Sequence, residues 1–445
     1  MSKLPFHLKE SKEPVLIKGA QYWDSNDKKL CQGDMILDKG KITRLVPEWK
    51  ETFTGQIING SKRVILPGLF DMHVHFREPG GEHKETLISG CRSATAGGFT
   101  GVCPMPNTSP VIDNGELVRF EIDGAQNQLP GVFPIGAISK GLAGETLAEI
   151  GEMVRAGAVA VSDDGHWVTN SGLMRRALEY SLMFNIPVIS HAADPFLCTD
   201  GVMQEGFYST KLGLPGMPSV AEDVAIFRDI KLAHYTGGKI HIAHVSTRGG
   251  VELIRQAKNE GISITCEVTP HHLCLTEESM VGYDTNFKMN PPLRSSDDKE
   301  ALIEGIKDGT IDVIATDHAP HAIQEKEVEF IVAPFGCIGM ESAFGTVYTK
   351  LLRDGTVTLK RAIELLVEQP RQVLDIEIPS IQVDKPVNLI ILNFNSLYTI
   401  QSDSFFSKSR NCPFIGWEVY GRVEGSFMGE KLWIHPEAEK TLFGN

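Results

Sequence analysis

GKIHIAHV at residues 238–245, followed by GGVELIRQAKNEG at residues 249–261, is a short apolar run that leads into a helix-like stretch. Runs of this length and composition are typical of strands buried inside a sheet. Seven similar runs occur in the middle of the chain, and most are again followed by a helix-like stretch. They are GLFDMHVHF (68–76), GFTGVCPM (98–105), GVFPIGAI (131–138), GAVAVS (157–162), IPVISH (186–191), GISITCEV (261–268) and IDVIATDH (311–318). Eight strands alternating with helices predict an α/β fold, a (β/α)8 TIM barrel.

A doubly wound open sheet is the alternative for such an alternation, but no GxGxxG motif follows the first strand. Strand-like segments of another kind flank the middle of the chain. Apolar residues roughly alternate with polar ones in 14–23, 33–46, 63–67, 386–395, 414–428 and 430–436. Because both ends are strand-rich, we predict a small β-sandwich domain formed by both chain termini. Its two parts are residues 1–65 and 381–445, and the barrel is residues 66–380.

The composition argues against several classes of partner. The formal net charge is −14, whereas nucleic-acid binding needs clustered Lys and Arg. No run approaches the roughly 18 consecutive apolar residues of a membrane span, and the first residues lack the apolar segment of a signal peptide. The eight cysteines form no CxxC pair, which is typical of reduced thiols in the cytosol. We therefore predict a cytoplasmic protein with no nucleic-acid or membrane partner.

Histidines are concentrated in the predicted barrel, where twelve of the fourteen lie between His73 and His321. His73 and His75 are two residues apart, which places both imidazoles on the same face of a strand. Imidazole pairs of this kind suit zinc or a similar metal. Taken alone, the pair could equally be two hydrogen-bonded histidines.

Other strand ends carry further candidate ligands. They are Asp163 and Asp164, His191, His241 and His244, and Asp317. Since catalytic groups of a barrel lie at the carboxyl ends of its strands, four histidines and two carboxylates could bind two metal ions with one bridging carboxylate. Asp163 and Asp164 compete for one role, because neighbours on a strand face opposite ways. His241 is expected to point away from His244.

Two further histidines, His271 and His272, follow the seventh strand. We expect them to support the site or the structure rather than to bind metal. His234 lies in a helix-like stretch and is expected at the surface. The polar segment HAIQEKEVEF, residues 321–330, is expected to be a mobile loop over the site.

Longer motifs resemble those of class I dihydroorotases, which belong to the amidohydrolase superfamily. The motifs are GLFDMHVHFREPGGEHKET, CPMPNT, SDDG, HVST, EVTPHHL, KMNPPLR, ATDHAPH and NCPFIGWEVYGRV. They span nearly the whole chain, and KMNPPLR together with ATDHAPH is highly specific. The resemblance implies a hydrolase that reversibly cyclises N-carbamoyl-L-aspartate to L-dihydroorotate in de novo pyrimidine synthesis.

The resemblance also implies a role for each matching residue. One zinc would be held by His73, His75 and Asp317, a second by His191 and His244, with Asp164 bridging the two. Two zinc ions per subunit are expected, although a class I site can hold one. Asp317 would also be the catalytic residue that takes a proton from water and passes it to the leaving ring nitrogen. The implied substrate contacts are His75, Arg77, Asn107, Asn290, His321 and the backbone around Phe335 and Gly336.

Two alternative functions remain. Hydantoinases and allantoinases are cyclic amidohydrolases of the same superfamily, but they bridge their metals with a carboxylated Lys near the fourth strand. Here no Lys occurs between Lys140 and Lys211. An inactive dihydroorotase-like scaffold subunit would be expected to lack metal ligands, and this chain keeps all six. The family's usual form is a homodimer, and association with an aspartate transcarbamoylase is a further expectation that the sequence leaves open.

Overall fold

Eight strand positions follow one another through the middle of the chain in the computed structural model, which describes residues 4–444. They are Leu69–Val74, Phe99–Pro104, Gly131–Val132 with Ile135–Gly136, Ala160–Ser162, Val188–Ser190, Ile240–Ile242, Ile264–Val268 and Val313–Ile314. We call them core strands 1 to 8, with the two short segments as the parts of core strand 3. Every pairing between them is parallel, so the predicted α/β alternation is confirmed.

The core strands form two sheets rather than one continuous cylinder within residues 4–444. One sheet contains core strands 1, 2 and the first part of 3, and the other runs from the second part of 3 to core strand 8. Pro134 interrupts core strand 3, because proline has no amide hydrogen to donate to a neighbouring strand. The far edges of the two sheets approach each other where the His75 amide donates to the His318 carbonyl at 2.9 Å.

Helices between the core strands bury one face each. In Arg248–Asn259, the buried residues Val251, Ile254 and Ala257 are three residues apart, which places them on one side of the helix. The Thr247 side chain caps this helix by accepting a hydrogen bond from the Gly250 amide at 3.0 Å. The apolar faces of such helices pack on the core strands and form one large hydrophobic cluster with them.

The α-helices are Leu87–Ala96, Gly115–Ala125, Ile150–Ala156, Ser171–Ser181, Pro195–Cys198, Phe207–Leu212, Val220–Thr236, Arg248–Asn259, Pro270–Cys274, Ser296–Asp308, Ile323–Lys326, Met340–Val347, Leu359–Ile363, Gln369–Val373 and Glu439–Phe443. Short 3₁₀ turns occur at Lys140–Leu142, Leu182–Phe184, Glu277–Met280, Thr285–Phe287 and Ser402–Ser404, and π-helical turns at Tyr348–Leu352 and Glu364–Glu368. Two small two-stranded pairs join Met203–Gln204 with Gly216–Met217 and Tyr398–Thr399 with Glu418–Val419. Among the described helices, none is both long and apolar enough to cross a membrane.

Strands from both ends of the chain share one nine-stranded sheet, which we call the terminal sheet. In spatial order its strands are Leu8–Glu10, Lys431–Ile434, Arg422–Met428, Asn388–Asn393, Val64–Pro67, Val15–Asp24, Lys29–Asp38 and Lys41–Val46, with Gln56–Asn59 also paired to Val15–Asp24. Strands of both termini therefore share one sheet, while the predicted β-sandwich stays a prediction. Its register changes between Ile17 and Ala20, where Gly19 has a φ of +74°.

The terminal sheet contacts the amino ends of core strands 1 and 2. The Gly68 amide donates to the Asn388 carbonyl at 3.2 Å, and the Thr100 hydroxyl donates to the Asn388 side chain at 2.7 Å. Because the strands are parallel, their carboxyl ends lie on the opposite side. The terminal sheet therefore leaves free the end of the core that carries the predicted site.

Candidate metal centre

Asp164 lies at the middle of the predicted ligand set, just after core strand 4. Its Oδ1 is 3.3 Å from His73 Nε2, 3.5 Å from His191 Nδ1 and 3.7 Å from His244 Nε2. Its Oδ2 is 3.4 Å from His75 Nε2. One carboxylate thus faces four imidazoles that come from core strands 1, 5 and 6, as a bridging ligand would.

Asp317 completes the cluster from the end of core strand 8. Its Oδ1 lies 3.0 Å from His75 Nε2 and 3.5 Å from His73 Nε2. Asp317 has a φ of +47° and His244 a φ of +33°, a region that non-glycine residues seldom adopt. The two side chains are therefore turned inward by backbone that has left the regular strand.

The structure brings the six predicted ligands together. Two groups of three have ligand atoms within 4.8 Å of one another: His73, His75 and Asp317, and His73, Asp164 and His244. His73 belongs to both groups and His191 to neither. His191 Nδ1 instead lies 2.9 Å from His244 Nε2. Which ligands hold which ion stays a prediction.

Asp163 has a different role from its neighbour. It accepts hydrogen bonds from the amides of Ile138 and Ser139 at 2.8 and 2.9 Å, and from the Ser139 hydroxyl. These contacts fix the chain that follows core strand 3. Of the two competing acids, only Asp164 faces the histidines.

Glu267, on core strand 7, is a buried carboxylate of the site that the sequence reasoning missed. Its Oε1 lies 2.5 Å from His73 Nδ1 and accepts the His244 amide at 3.3 Å, while Oε2 lies 3.4 Å from His241 Nε2. Burial favours the neutral acid, but the charge of His73 and the hydrogen bonds of both imidazoles outweigh it and lower the pKa of Glu267 to about 2. The carboxylate turns His73 Nε2 towards Asp164.

The charge of the cluster suits a bound cation. Burial by itself would lower the pKa of His73, yet Asp164, Glu267 and Asp317 together hold that pKa well above its usual value. Among the described residues, His73 Nε2 and Asp164 Oδ1 are buried without a hydrogen-bond partner, and so is His244 Nδ1. Buried polar atoms normally have partners, and a metal ion would supply one. The donor set therefore fits a metal bound by imidazole and carboxylate.

The two asparagines that were predicted to bind substrate contact the imidazoles of predicted metal ligands. Asn107 Oδ1 lies 2.8 Å from His75 Nδ1, and Asn107 Nδ2 donates to the Asp164 carbonyl at 3.4 Å. Asn290 Nδ2 lies 3.3 Å from His191 Nε2. Both amides therefore border the cluster, where each helps to orient a ring.

Arg77 is the cation nearest the cluster in the first motif, and its φ is +61°. Its Nε donates to the Pro320 carbonyl at 3.3 Å. Burial lowers its pKa, and the charges of Asp317 and Asp164 partly oppose that effect. Within residues 4–444 its guanidinium forms no ion pair, so its charge is available to an anionic ligand.

His321 and the backbone after it are held by internal hydrogen bonds. His321 Nε2 lies 2.7 Å from the Phe335 carbonyl, and burial lowers its pKa to about 3. The Gly336 amide donates to the Lys288 carbonyl at 2.9 Å. His321 and the backbone at Phe335 and Gly336 were expected to contact substrate. Hydrogen bonds within the protein hold both in place.

The four other histidines for which the sequence predicted a place, His234, His241, His271 and His272, lie as expected. His272 lies between the Thr269 hydroxyl at 2.8 Å and the Pro291 carbonyl at 3.1 Å, and His241 Nδ1 lies 2.8 Å from the Thr265 hydroxyl. Burial lowers the pKa of His271 to about 4. His234 is exposed on the helix Val220–Thr236.

Comparison with known proteins agrees with this geometry. Residues 62–250 match the family model described as Dihydro-orotase-like. A dihydroorotase of Pelotomaculum thermopropionicum is 47% identical over 422 residues, which is 94% of this chain and 98% of the relative. The chain belongs to the dihydroorotase family. A second dihydroorotase, of Geobacter metallireducens, is 46% identical over 400 residues, covering 90% of this chain and 94% of the relative.

Solved structures share the overall fold of this dihydroorotase-family chain. L-hydantoinase of Arthrobacter aurescens superposes with a TM-score of 0.84 at 22% sequence identity, covering 94% of this chain and 96% of the other. Dihydropyrimidinase of Brevibacillus agri gives a TM-score of 0.81 at 17% identity and covers 94% of both chains. At such identities the likeness concerns the fold.

Proposed function

We propose that the chain is a metal-dependent dihydroorotase that interconverts N-carbamoyl-L-aspartate and L-dihydroorotate in de novo pyrimidine synthesis. The observation that carries this proposal is the convergence of four imidazoles on Asp164, in a chain whose relatives named dihydroorotase match it over nearly its full length. No Lys near core strand 4 could provide the bridge of a hydantoinase.

We propose zinc as the metal, with two ions bridged by Asp164 and a single ion as the alternative. Imidazole and carboxylate ligands suit zinc. The first ion would be held by His73, His75 and Asp317, and the second by His191 and His244. When bound, such ions lower the pKa of a water molecule and polarise an amide carbonyl.

Asp317 is the proposed proton carrier. Burial favours its neutral form, but the charge of His73 and the hydrogen bond and charge of His75 lower the pKa of Asp317 below its usual value. The ionised carboxylate can therefore accept a proton from the attacking water. In ring opening, the water oxygen bonds to the amide carbon, the carbon–nitrogen bond breaks, and Asp317 returns the proton to the leaving nitrogen.

Arg77 is proposed to bind the ring carboxylate of dihydroorotate. A guanidinium can donate two parallel hydrogen bonds to a carboxylate, and this one has no competing ion pair among the described residues. His75, Asn107 and Asn290 border the same space, and His321 with Phe335 and Gly336 would form its wall. Dihydrouracil has the same ring without the carboxylate, so Arg77 would decide between the two.

The test is a side-by-side assay of purified protein with known metal content on dihydroorotate, dihydrouracil and hydantoin. We expect dihydroorotate to be hydrolysed with little or no activity on the other two. Equal rates on dihydrouracil would assign the protein to the hydantoinase type of activity. No turnover at full metal content would favour an inactive scaffold subunit.

We also propose a closed (β/α)8 barrel at residues 66–380, with a β-sandwich formed by residues 1–65 and 381–445. The contact between core strands 1 and 8 supports closure, and the shared terminal sheet supports the sandwich domain. We further propose a cytoplasmic homodimer that can associate with an aspartate transcarbamoylase. Light scattering of the protein alone and mixed with that partner tests both associations.

A further inference from the structure

Two buried lysines hold the backbone of one segment near the proposed substrate wall. The segment is Phe330–Gly336, which we call the clamped segment. Lys288 Nζ donates to the carbonyls of Phe330 and Ile331 at 2.8 and 2.7 Å. Lys326 Nζ donates to the carbonyls of Pro334 and Gly336 at 2.8 and 3.1 Å. Four carbonyls of seven residues are thus bound by two ammonium groups.

The same segment is tied to the chain that follows Asp317. Asn411 Nδ2 donates to the carbonyls of Gly336 and Ala319, both at 3.0 Å, and its Oδ1 accepts the His321 amide at 3.2 Å. The ring of His321 reaches the Phe335 carbonyl. A shift of the clamped segment would therefore move His321.

Burying the charge of the two lysines is expected to lower the stability of the folded protein. Lys288 is 2% exposed and Lys326 is 6% exposed, and neither forms an ion pair among the described residues. Lysine is almost never buried unless it is paired. Burial lowers the pKa of each to about 8. Each ammonium group is instead satisfied by two backbone carbonyls, so both lysines tie down the backbone of the clamped segment.

We propose that Lys288 and Lys326 are positioning residues that fix the clamped segment, and through it the substrate-facing wall formed with His321. This inference rests on the proposed dihydroorotase function and adds two residues to it. It also revises the expectation that residues 321–330 are simply a mobile loop, because Phe330 and the chain directly after it are fastened at four carbonyls.

Hydrogen exchange of the wild-type protein is the first test and needs neither substrate nor a variant. We expect the amides of residues 333 and 336, which donate to Glu329 and Lys288, to exchange as slowly as those of the core strands. Exchange as fast as in an unstructured loop would overturn the proposal. This outcome does not depend on whether the protein turns over dihydroorotate.

Two variants test the consequence for the site. In Lys288→Met and Lys326→Met, a protease that cuts after glutamate should cleave faster at the exposed Glu327 and Glu329 than in the wild type. Metal content should be unchanged, because neither lysine contacts a ligand. KM for dihydroorotate should rise about tenfold with kcat within about threefold, as expected when ground-state contacts are lost.

Lys307→Met, at an exposed position of the helix Ser296–Asp308, is the matched control and should behave as wild type. Unchanged KM and unchanged cleavage in both buried variants would overturn the proposal. So would a loss of kcat at constant KM. If a variant fails to fold, the exchange measurement on the wild type decides. If the wild type shows no turnover but slow amide hydrogen exchange, the dihydroorotase proposal is refuted. The proposal that the two lysines fix the clamped segment is then still supported.

Discussion

The metal centre and the pair of lysines that hold the clamped segment, which we call the clamp, are two buried charged clusters. They differ in the groups that surround their charges. In the metal centre, carboxylate and imidazole groups face one another, and His73 Nε2 and Asp164 Oδ1 have no hydrogen-bond partner among the described residues. In the clamp, each of Lys288 and Lys326 donates to two backbone carbonyls. A cluster that is satisfied by neutral backbone keeps a shape. A cluster whose buried polar atoms lack hydrogen-bond partners is suited to bind something else.

The largest effect is expected from removing a ligand shared by both three-residue groups. His73→Ala should lose the metal and all activity while the chain stays folded. Elemental analysis and circular dichroism measure both outcomes, with Asp163→Ala as a milder control beside Asp164→Ala. Full metal content in His73→Ala, or a milder effect at Asp164 than at Asp163, would show that the assignment of the strand faces is wrong.

A large loss of turnover is expected at the proton carrier. Asp317→Asn keeps the shape of the side chain but removes its basicity, so kcat should fall by about 100- to 10,000-fold. Binding of dihydroorotate should change far less. Steady-state kinetics at matched metal content separates the two parameters, and near-normal turnover would remove Asp317 from proton transfer.

A smaller effect is expected from replacing Arg77, the cation that is proposed to bind the substrate carboxylate. An unmade charged hydrogen bond in a closed site costs roughly 2–4 kcal/mol, which corresponds to about 30- to 1,000-fold in kcat/KM. Arg77→Met should therefore raise KM for dihydroorotate by a large factor and keep its metal. An unchanged kcat/KM would contradict the proposed substrate assignment even if the metal chemistry holds.

The smallest effect is expected from replacing Glu267, which contacts the ligand His73 but is not itself a predicted ligand. Loss of a carboxylate that orients a ligand imidazole typically weakens metal binding by about 10- to 100-fold. Glu267→Gln should show such a loss in a titration with a competing chelator, while metal added in excess restores turnover. Wild-type metal affinity in this variant would mean that the contact to His73 is only structural.

The sequence predicted those side-chain directions in the site that follow from the alternation of residues along a strand. A spacing of two placed His73 and His75 on one face, and strand alternation required that only one of Asp163 and Asp164 reach the histidines. Glu267 was missed because its partner His73 lies 194 positions away, beyond any local pattern. Its only signal was a charged residue inside a largely apolar strand.

The contacts of Lys288 and Lys326 were also missed, because no periodic pattern predicts which carbonyls a lysine reaches. Lys288 donates to carbonyls 42 and 43 positions away, and Lys326 to carbonyls 8 and 10 positions away. The break in core strand 3 could have been expected from Pro134, since an interior strand tolerates proline poorly. The terminal sheet depends on pairings between the two ends of the chain, which alternation within each end does not determine.

The terminal sheet also sets an order of events during synthesis. Val64 pairs with Leu392, so the strand Val64–Pro67 meets this neighbour only after all eight core strands have been translated. At bacterial and eukaryotic elongation rates, that is a delay of roughly 20–60 s. During this time one edge of an apolar strand is uncovered, and uncovered edges invite pairing with other chains. A nascent chain stalled before residue 388 should therefore be prone to aggregate on the ribosome.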